Sequence, residues 1–325
     1  MRSVYKILLV ALCVICCLSL TKNQVTNKTF DINIPITKSS AVTYTFSGGR
    51  LGDNLLSYLH AKWISFLHNI PLLYASFTYS HSLKLHDIEK YPYQKYAPYF
   101  TKTHVVAHGE EMNIDPQAGI LYIVHYFPEV DYEEYKPRFK VDWHNKQFKA
   151  LVQQLIAPRK AGVGKATLSK SRVNVALHMR KGGGFDRDGL YKVYQSWPEK
   201  FPEDEYYIEQ IKKMYELCNN APLHIHIFTD DRDPALLMKK LSEAVKPLNI
   251  EFSCRVRGNK HDAHVLDDLF AMAKFDCLIR PDSNFSVIAE KIGDYKFVIA
   301  PERFVDSDTG TKHIWGKVVQ GIEAT

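Results

Sequence analysis

The sequence predicts an α/β protein built on doubly wound parallel sheets, and three observations carry that expectation. Its second half alternates strand and helix patterns in regular order. Its first half opens on a strand, a glycine turn, a helix and a short second strand. Between the halves, residues 158–171 are rich in Gly, Ser and Lys and lack a hydrophobic period, so they read as a linker between two α/β domains.

In the second half, strands are expected over 173–179, 224–228, 250–256, 277–279 and 296–300. Helices fall between them. Residues 203–218 follow Pro202, 234–245 follow an Asp-rich turn, 263–275 are amphipathic, and 286–292 end at Gly293. Strand and helix in alternation require right-handed crossovers and a parallel sheet, whose ligands bind outside the carboxyl ends of the strands. In the first half, residues 41–46 alternate as a strand does. Leu55, Leu59, Ile64, Phe66 and Leu67 then repeat near helical spacing, and 70–74 is an apolar run of strand length. Further strands are expected over 103–107 and 120–125 and a helix over 145–157. The aromatic stretch 91–99 has no clear pattern.

Bulk composition bounds the function. The chain has 325 residues, 46% of them hydrophobic, enough for one large or two moderate cores. A net charge of +6, two of it from Arg2 and Lys6, suits an anionic small ligand as well as a membrane surface and lacks the dense basic clustering of nucleic-acid binding. Arg2 and Lys6 precede an apolar run over 7–20, so residues 1–22 read as a signal peptide or membrane anchor, with cleavage favoured. Export follows from that reading: secretory pathway or Golgi in a eukaryote, periplasm or membrane in a bacterium. The expected domains are then residues 23–160 and residues 171–325. Beyond the segment that holds Cys13, Cys16 and Cys17, only Cys218, Cys254 and Cys277 remain. That odd, sparse set with no close pair argues against a disulfide framework and a zinc site.

Four polar clusters fall at strand ends. His178-Met179-Arg180-Lys181-Gly182-Gly183-Gly184-Phe185-Asp186 pairs two cations with glycines that let backbone amides approach an anion. Thr229-Asp230-Asp231 offers carboxylates to ribose hydroxyls or a guanine edge, or else plain caps for the next helix. Arg280-Pro281-Asp282-Ser283-Asn284-Phe285-Ser286 brings hydroxyls and amides to a helix N-terminus, where anions bind; capping by Ser283 or Asn284 is the alternative. Gly48-Gly49-Arg50-Leu51-Gly52-Asp53-Asn54 is a second glycine turn. Ser47 stands where a dinucleotide fold wants its first glycine, and Leu72-Leu73-Tyr74 where it wants an acid, so the sequence departs from the oxidoreductase pattern.

In order, these motifs resemble the α1,2-, α1,6- and protein O-fucosyltransferases: His178-x-Arg180-Lys181, Thr229-Asp230-Asp231, Asp267-Asp268-Leu269 leading into Ser283-Asn284-Phe285-Ser286, and an opening Gly49-Arg50-Leu51-Gly52. The resemblance implies a GT-B-like fold of two Rossmann-like doubly wound domains, 23–160 on the acceptor side with the aromatic stretch 91–99 a candidate groove lining and 171–325 on the donor side, and inverting transfer of fucose from GDP-fucose to a glycan hydroxyl, with no metal. It implies that Arg180 grips the β-phosphate, His178 supports the donor pocket with Lys181, Gly49, Gly52 and Asn54 nearby, Ser283, Asn284, Phe285 and Ser286 hold phosphate or nucleotide, and Asp230 or Asp231 lies near base or ribose. A carboxylate must deprotonate the acceptor, and Asp186 then Asp53 are the candidates.

The departures are specific. Gly182, Gly183, Gly184 and Phe185 intervene before Asp186, Asp53 stands where the family has an amide, and Val287-Ile288 stand where α1,2 enzymes pair tryptophans. Two alternatives follow: a non-catalytic sugar-nucleotide-binding relative, and a metal-dependent transferase using one of the D-x-D sequences at Asp186, Asp231 or Asp306.

Overall fold

The computed structural model describes residues 39–107, 109–125, 141–181, 197–256, 259, 263–305 and 312–321. The expected signal or anchor segment, the glycines after Lys181, Asp186 and Asp306 lie outside the described residues. From Pro35 to Thr325 the chain forms one compact unit.

The N-terminal layer begins with β1 (Ala41–Tyr44), whose four residues are all buried, and α1 (Leu51–His68). A short β2 (Leu73–Tyr74), α2 (Leu85–Ile88), β3 (Tyr91–Pro92) and α3 (Tyr93–Tyr96) follow, and then β4 (Lys102–Val105), β5 (Ile120–Val124) and α4 (Lys146–Leu155). Strands β1, β5 and β4 pair in that order, all parallel, while β2 and β3 make a separate parallel pair. Asn145 starts α4 by accepting hydrogen bonds from the backbone N–H groups of Gln147 and Phe148, the N-cap chemistry that its position suggests.

The C-terminal layer runs β6 (Val173–Met179), α5 (Asp204–Leu217), β7 (Leu223–Thr229), α6 (Pro234–Ala244), β8 (Ile250–Cys254), α7 (Val265–Met272), β9 (Cys277–Ile279), α8 (Asn284–Ile292), β10 (Phe297–Val305) and β11 (Lys312–Gly321). The sheet order is β11-β10-β9-β6-β7-β8. From β8 to β10 every neighbour is parallel. The chain winds outward from β6 through β7 to β8, returns to β9 on the other side of β6, and so makes its topological switch between β6 and β9.

Period-two alternation gives both faces of this sheet an apolar layer. Val175, Leu177, Met179, Cys277 and Ile279 face Tyr207, Ile211 and Leu241 of α5 and α6. Ala176, Leu278 and Val298 join the opposite core, which includes Leu269 and Met272 of α7 and Ile288 of α8. That second core continues through Leu55, Leu59 and Ile64 of α1 and Phe148 and Val152 of α4, so helices of both halves share one apolar interior.

One feature departs from the sequence expectation and two more add to it. Strand β10 continues past Ala300 to Val305 and turns back as the antiparallel β11, giving the otherwise parallel sheet an unexpected edge. The 158–171 segment has neither helix nor strand, yet it is fastened to α7: the Gly164 N–H donates to Asp267 at 3.0 Å and Lys274 Nζ donates to the Gly164 carbonyl at 2.7 Å. Gly164 takes φ +71°, and a Cβ there would meet Phe270 Cβ at 2.4 Å, so glycine is needed for contact as well as conformation. Finally, Cys218 and Cys277, 59 positions apart in sequence, lie close enough to influence each other: the interaction lowers the Cys218 thiol pKa and, with burial, raises that of Cys277.

Candidate functional site

The switch point lies where β6 and β9 leave the sheet in parallel register, with Leu177 opposite Ile279. His178 and Arg180 follow on one strand and Arg280, Asp282 and Ser283 on the other, so the first and third sequence clusters meet at one edge. The His178 ring stands 5.8 Å from the Phe285 ring at 57°. Burial, reinforced by the charges of Arg180 and Arg280, lowers the His178 pKa to about 3, which leaves the imidazole neutral at physiological pH. Its Nδ1 is buried without a hydrogen-bond partner.

Arg180 is half-buried, its guanidinium 5.0 Å from the centre of the Phe201 ring. Burial and Arg50 lower its pKa, opposed by the negative charges of Asp230, Asp53 and Asp282. Lys200 belongs to the same constellation. Its pKa is lowered by burial first and Arg180 second, with Asp53 and Asp282 opposing. Arg50, Arg180 and Lys200 therefore share one electrostatic neighbourhood with Asp53, Asp230 and Asp282. Three clusters from the second half of the chain and one from its N-terminal turn have converged.

The glycine turn before α1 is seated on α8. A Cβ on Gly52 would meet the backbone N of Phe285 at 2.5 Å and the carbonyl carbon of Asn284 at 2.6 Å, an approach only glycine permits. Asn284 Nδ2 donates to Asp53 Oδ1 at 2.6 Å, while Asp53 Oδ2 accepts from the Arg50 N–H at 3.0 Å. Gly49 is closed on the same carboxylate, since a Cβ there would fall 2.2 Å from Asp53 Oδ2. Asn54 is buried in the first turn of α1.

Each remaining cluster has a local partner. The Lys181 N–H donates to Asp230 Oδ1 at 2.7 Å, and the Lys181 ammonium pairs with Asp204 of α5. Asp231 takes the Asp233 N–H at 2.7 Å, and Asp233 caps α6 by accepting from Leu236 at 3.0 Å, so the Asp231-Arg232-Asp233 sequence makes a turn and a cap. Ser283 is the buried N-cap residue of α8 without a side-chain capping bond, and the Ser286 hydroxyl donates inward to the Ser283 carbonyl at 3.0 Å. Asp267 holds Gly164 and Asp268 pairs with Arg255. Among the described residues no group of three His, Cys, Asp or Glu side chains could hold a metal ion, and no helix is long and apolar enough to cross a membrane.

Sequence reasoning gave no role to Arg50, Lys200, Glu199 or Asp282. Residues 197–201 carry no motif; they enter the site because Phe201 supports Arg180 and because the Asp282 N–H donates to the Glu199 carbonyl at 2.8 Å.

Fold and edge together define an α/β protein of GT-B-like architecture whose polar residues gather at the switch point of its larger sheet. Among solved structures, the chain is similar to a mutant of Arabidopsis thaliana FUT1 in complex with GDP, at 13% identity over 85% of this chain and 73% of that one, with a TM-score of 0.51. It is also similar to POFUT1 in complex with GDP-fucose, at 14% identity over 80% of this chain and 95% of that one, TM-score 0.44. A third similarity is to fucosyltransferase NodZ from Bradyrhizobium, at 12% identity over 88% of this chain and 99% of that one, TM-score 0.42. At such identities the likeness is one of fold, and the FUT1 structure carries it. No family model matches the chain, and no curated protein matches its sequence.

Proposed function

We propose that this protein is an inverting glycosyltransferase that takes its sugar from a GDP-linked donor, GDP-fucose first among them, and passes it to a glycan hydroxyl. The observation that carries this reading is Arg180 at the switch point, within electrostatic reach of Asp53 and of Asp282 just before α8, with the Gly49–Asp53 turn seated on Asn284. A departing nucleoside diphosphate gathers negative charge, and a half-buried guanidinium near a helix N-terminus stabilises charge at that place without reorganising. The fold shared with FUT1, whose structure holds GDP, supports the same donor class.

In this reading Arg180 contacts the diphosphate and Lys200 and Arg50 add positive potential. His178, kept neutral, supports Phe285 and the α8 terminus. The charge of the leaving group is met by these cations, so the scheme calls for no divalent ion. Asp186 is the first candidate for the base by its motif position, and Asp53 the second; Asp53 must loosen its bonds to Asn284 and Arg50 before it can accept a proton.

GDP is expected to raise the melting temperature of the wild type and to bind Arg180→Ala about 10- to 100-fold more weakly, the loss of a hydrogen bond to a charged group. Equal thermal shifts in the two proteins would remove Arg180 from the phosphate site. Release of GDP from GDP-fucose, scored beside GDP-mannose and UDP-glucose, separates a transferase from a non-catalytic binder of the same fold.

A further inference from the structure

Strand β9 ends at Ile279, opposite Ile299, while β10 continues to Val305. At about 3.3 Å per residue, the part of β10 beyond Ile299 carries the β10–β11 hairpin roughly 20 Å past the carboxyl edge, the edge that holds Arg180 and Ser283. The hairpin's two faces differ. Its inner face is packed: Ile314 joins the apolar layer over α5, Gly316 sits so close to Gln210 that a Cβ would overlap that side chain, and Lys213 Nζ donates to the Gly316 carbonyl at 2.7 Å.

Glu302 stands opposite Trp315 and Ala300 opposite Lys317, so strand alternation puts Glu302, Phe304, Trp315 and Lys317 together on the outer face. Phe304 is 49% exposed and Trp315 45%, their rings 5.8 Å apart and inclined at 37°. Glu302 braces the pair: Trp315 Nε1 donates to one carboxylate oxygen at 2.8 Å and Lys317 Nζ to the other at 2.6 Å.

We propose that this outer face is a carbohydrate-binding platform that seats the acceptor glycan, an extended neutral oligosaccharide, beside the donor crevice. The apolar C–H face of a pyranose stacks on aromatic rings, and its hydroxyls exchange hydrogen bonds with a fixed carboxylate and ammonium. Charge argues for this occupant. Glu302 and Lys317 cancel, whereas nucleic acid or an anionic lipid surface is met by an excess of cations. Continuity argues for it as well: Arg303, on the inner face, reaches Glu199 Oε1 at 3.7 Å, and the Glu199 carbonyl holds the Asp282 N–H at the rim of the crevice. The role as acceptor seat rests on the transferase reading; the platform itself does not.

The test is retention of the full chain on immobilised hexasaccharides of glucose, galactose, mannose, xylose and N-acetylglucosamine. Wild type is expected to bind at least one, Trp315→Ala at least tenfold more weakly, and Trp315→Tyr with most of the affinity restored. Equal binding by wild type and Trp315→Ala, no binding to any of the five, or a Trp315-dependent dimer in sedimentation that accounts for the exposed rings would each overturn the platform. The cooperative melting transition of each variant without ligand shows that the protein has folded, and beside it stands the GDP thermal shift. Its absence from wild type while Trp315-dependent glycan binding persists would sink the transferase reading and leave the platform standing.

Discussion

Arg280 leaves β9 at the switch point, and what fixes it is a carboxylate on α8. Arg280 Nε donates to Glu290 Oε2 at 2.7 Å, and Lys291 Nζ meets the other Glu290 oxygen at 2.8 Å. Burial raises the Glu290 pKa, but the charges and hydrogen bonds of Arg280 and Lys291 outweigh it and bring the group to about 2. A depressed carboxylate stabilises the fold above its unfolded pKa, and that stabilisation drains away as pH falls from about 4.5 toward 2. Glu290→Gln is therefore expected to cost about 3 kcal/mol at pH 7, the range for a buried pair that loses one partner. In urea denaturation the gap between variant and wild type should narrow steadily below pH 4.5; a gap independent of pH would show that the carboxylate's charge is not what holds Arg280. Residues of this kind were half legible. Arg180, Ser283 and Asn284 were singled out because they follow strand patterns, whereas Lys200 was not, since nothing in Trp197-Pro198-Glu199-Lys200-Phe201 signals that it folds under a guanidinium.

At the scale of elements, the contact between α1 and α8 assembles the site. Gly52 is the point of closest approach, and Gly52→Ala must push Asn284 and Phe285 away from the first turn of α1. Such overpacking is expected to cost about 1–3 kcal/mol in chemical denaturation and to weaken GDP binding in parallel, because Asp53 and Asn284 would separate. Loss of stability with unchanged GDP affinity would mean that the α1 turn is scaffolding only. The strands and helices themselves were largely legible, as hydrophobic period and caps are local properties. The β10–β11 hairpin was not. Its strands alternate Glu302, Phe304, Trp315 and Lys317 outward against a mixed inner face containing Arg303 and Gly316, which gives no apolar period to read.

Across the whole molecule, positive and negative groups from distant segments converge on one sheet edge, with Asp53 and Asn284 231 positions apart. If these cations rather than a divalent ion meet the departing diphosphate, GDP release from the donor should be unchanged in excess chelator. Loss of activity that manganese restores would replace the arginine account with a metal one.

Sequence alone determined the alternation of strand and helix, and with it the α/β class, because each element's period is written in its own residues. It also marked the strand ends where polar clusters stand. Only the tertiary structure decided which of those ends are neighbours: the return of the chain from β8 to β9 brings Asp282 within electrostatic reach of Arg180, and the absence of a Cβ at Gly52 lets the N-terminal turn close on Asn284 and Phe285. Such proximity comes from winding order and close packing, and neither is encoded in any single stretch of the chain.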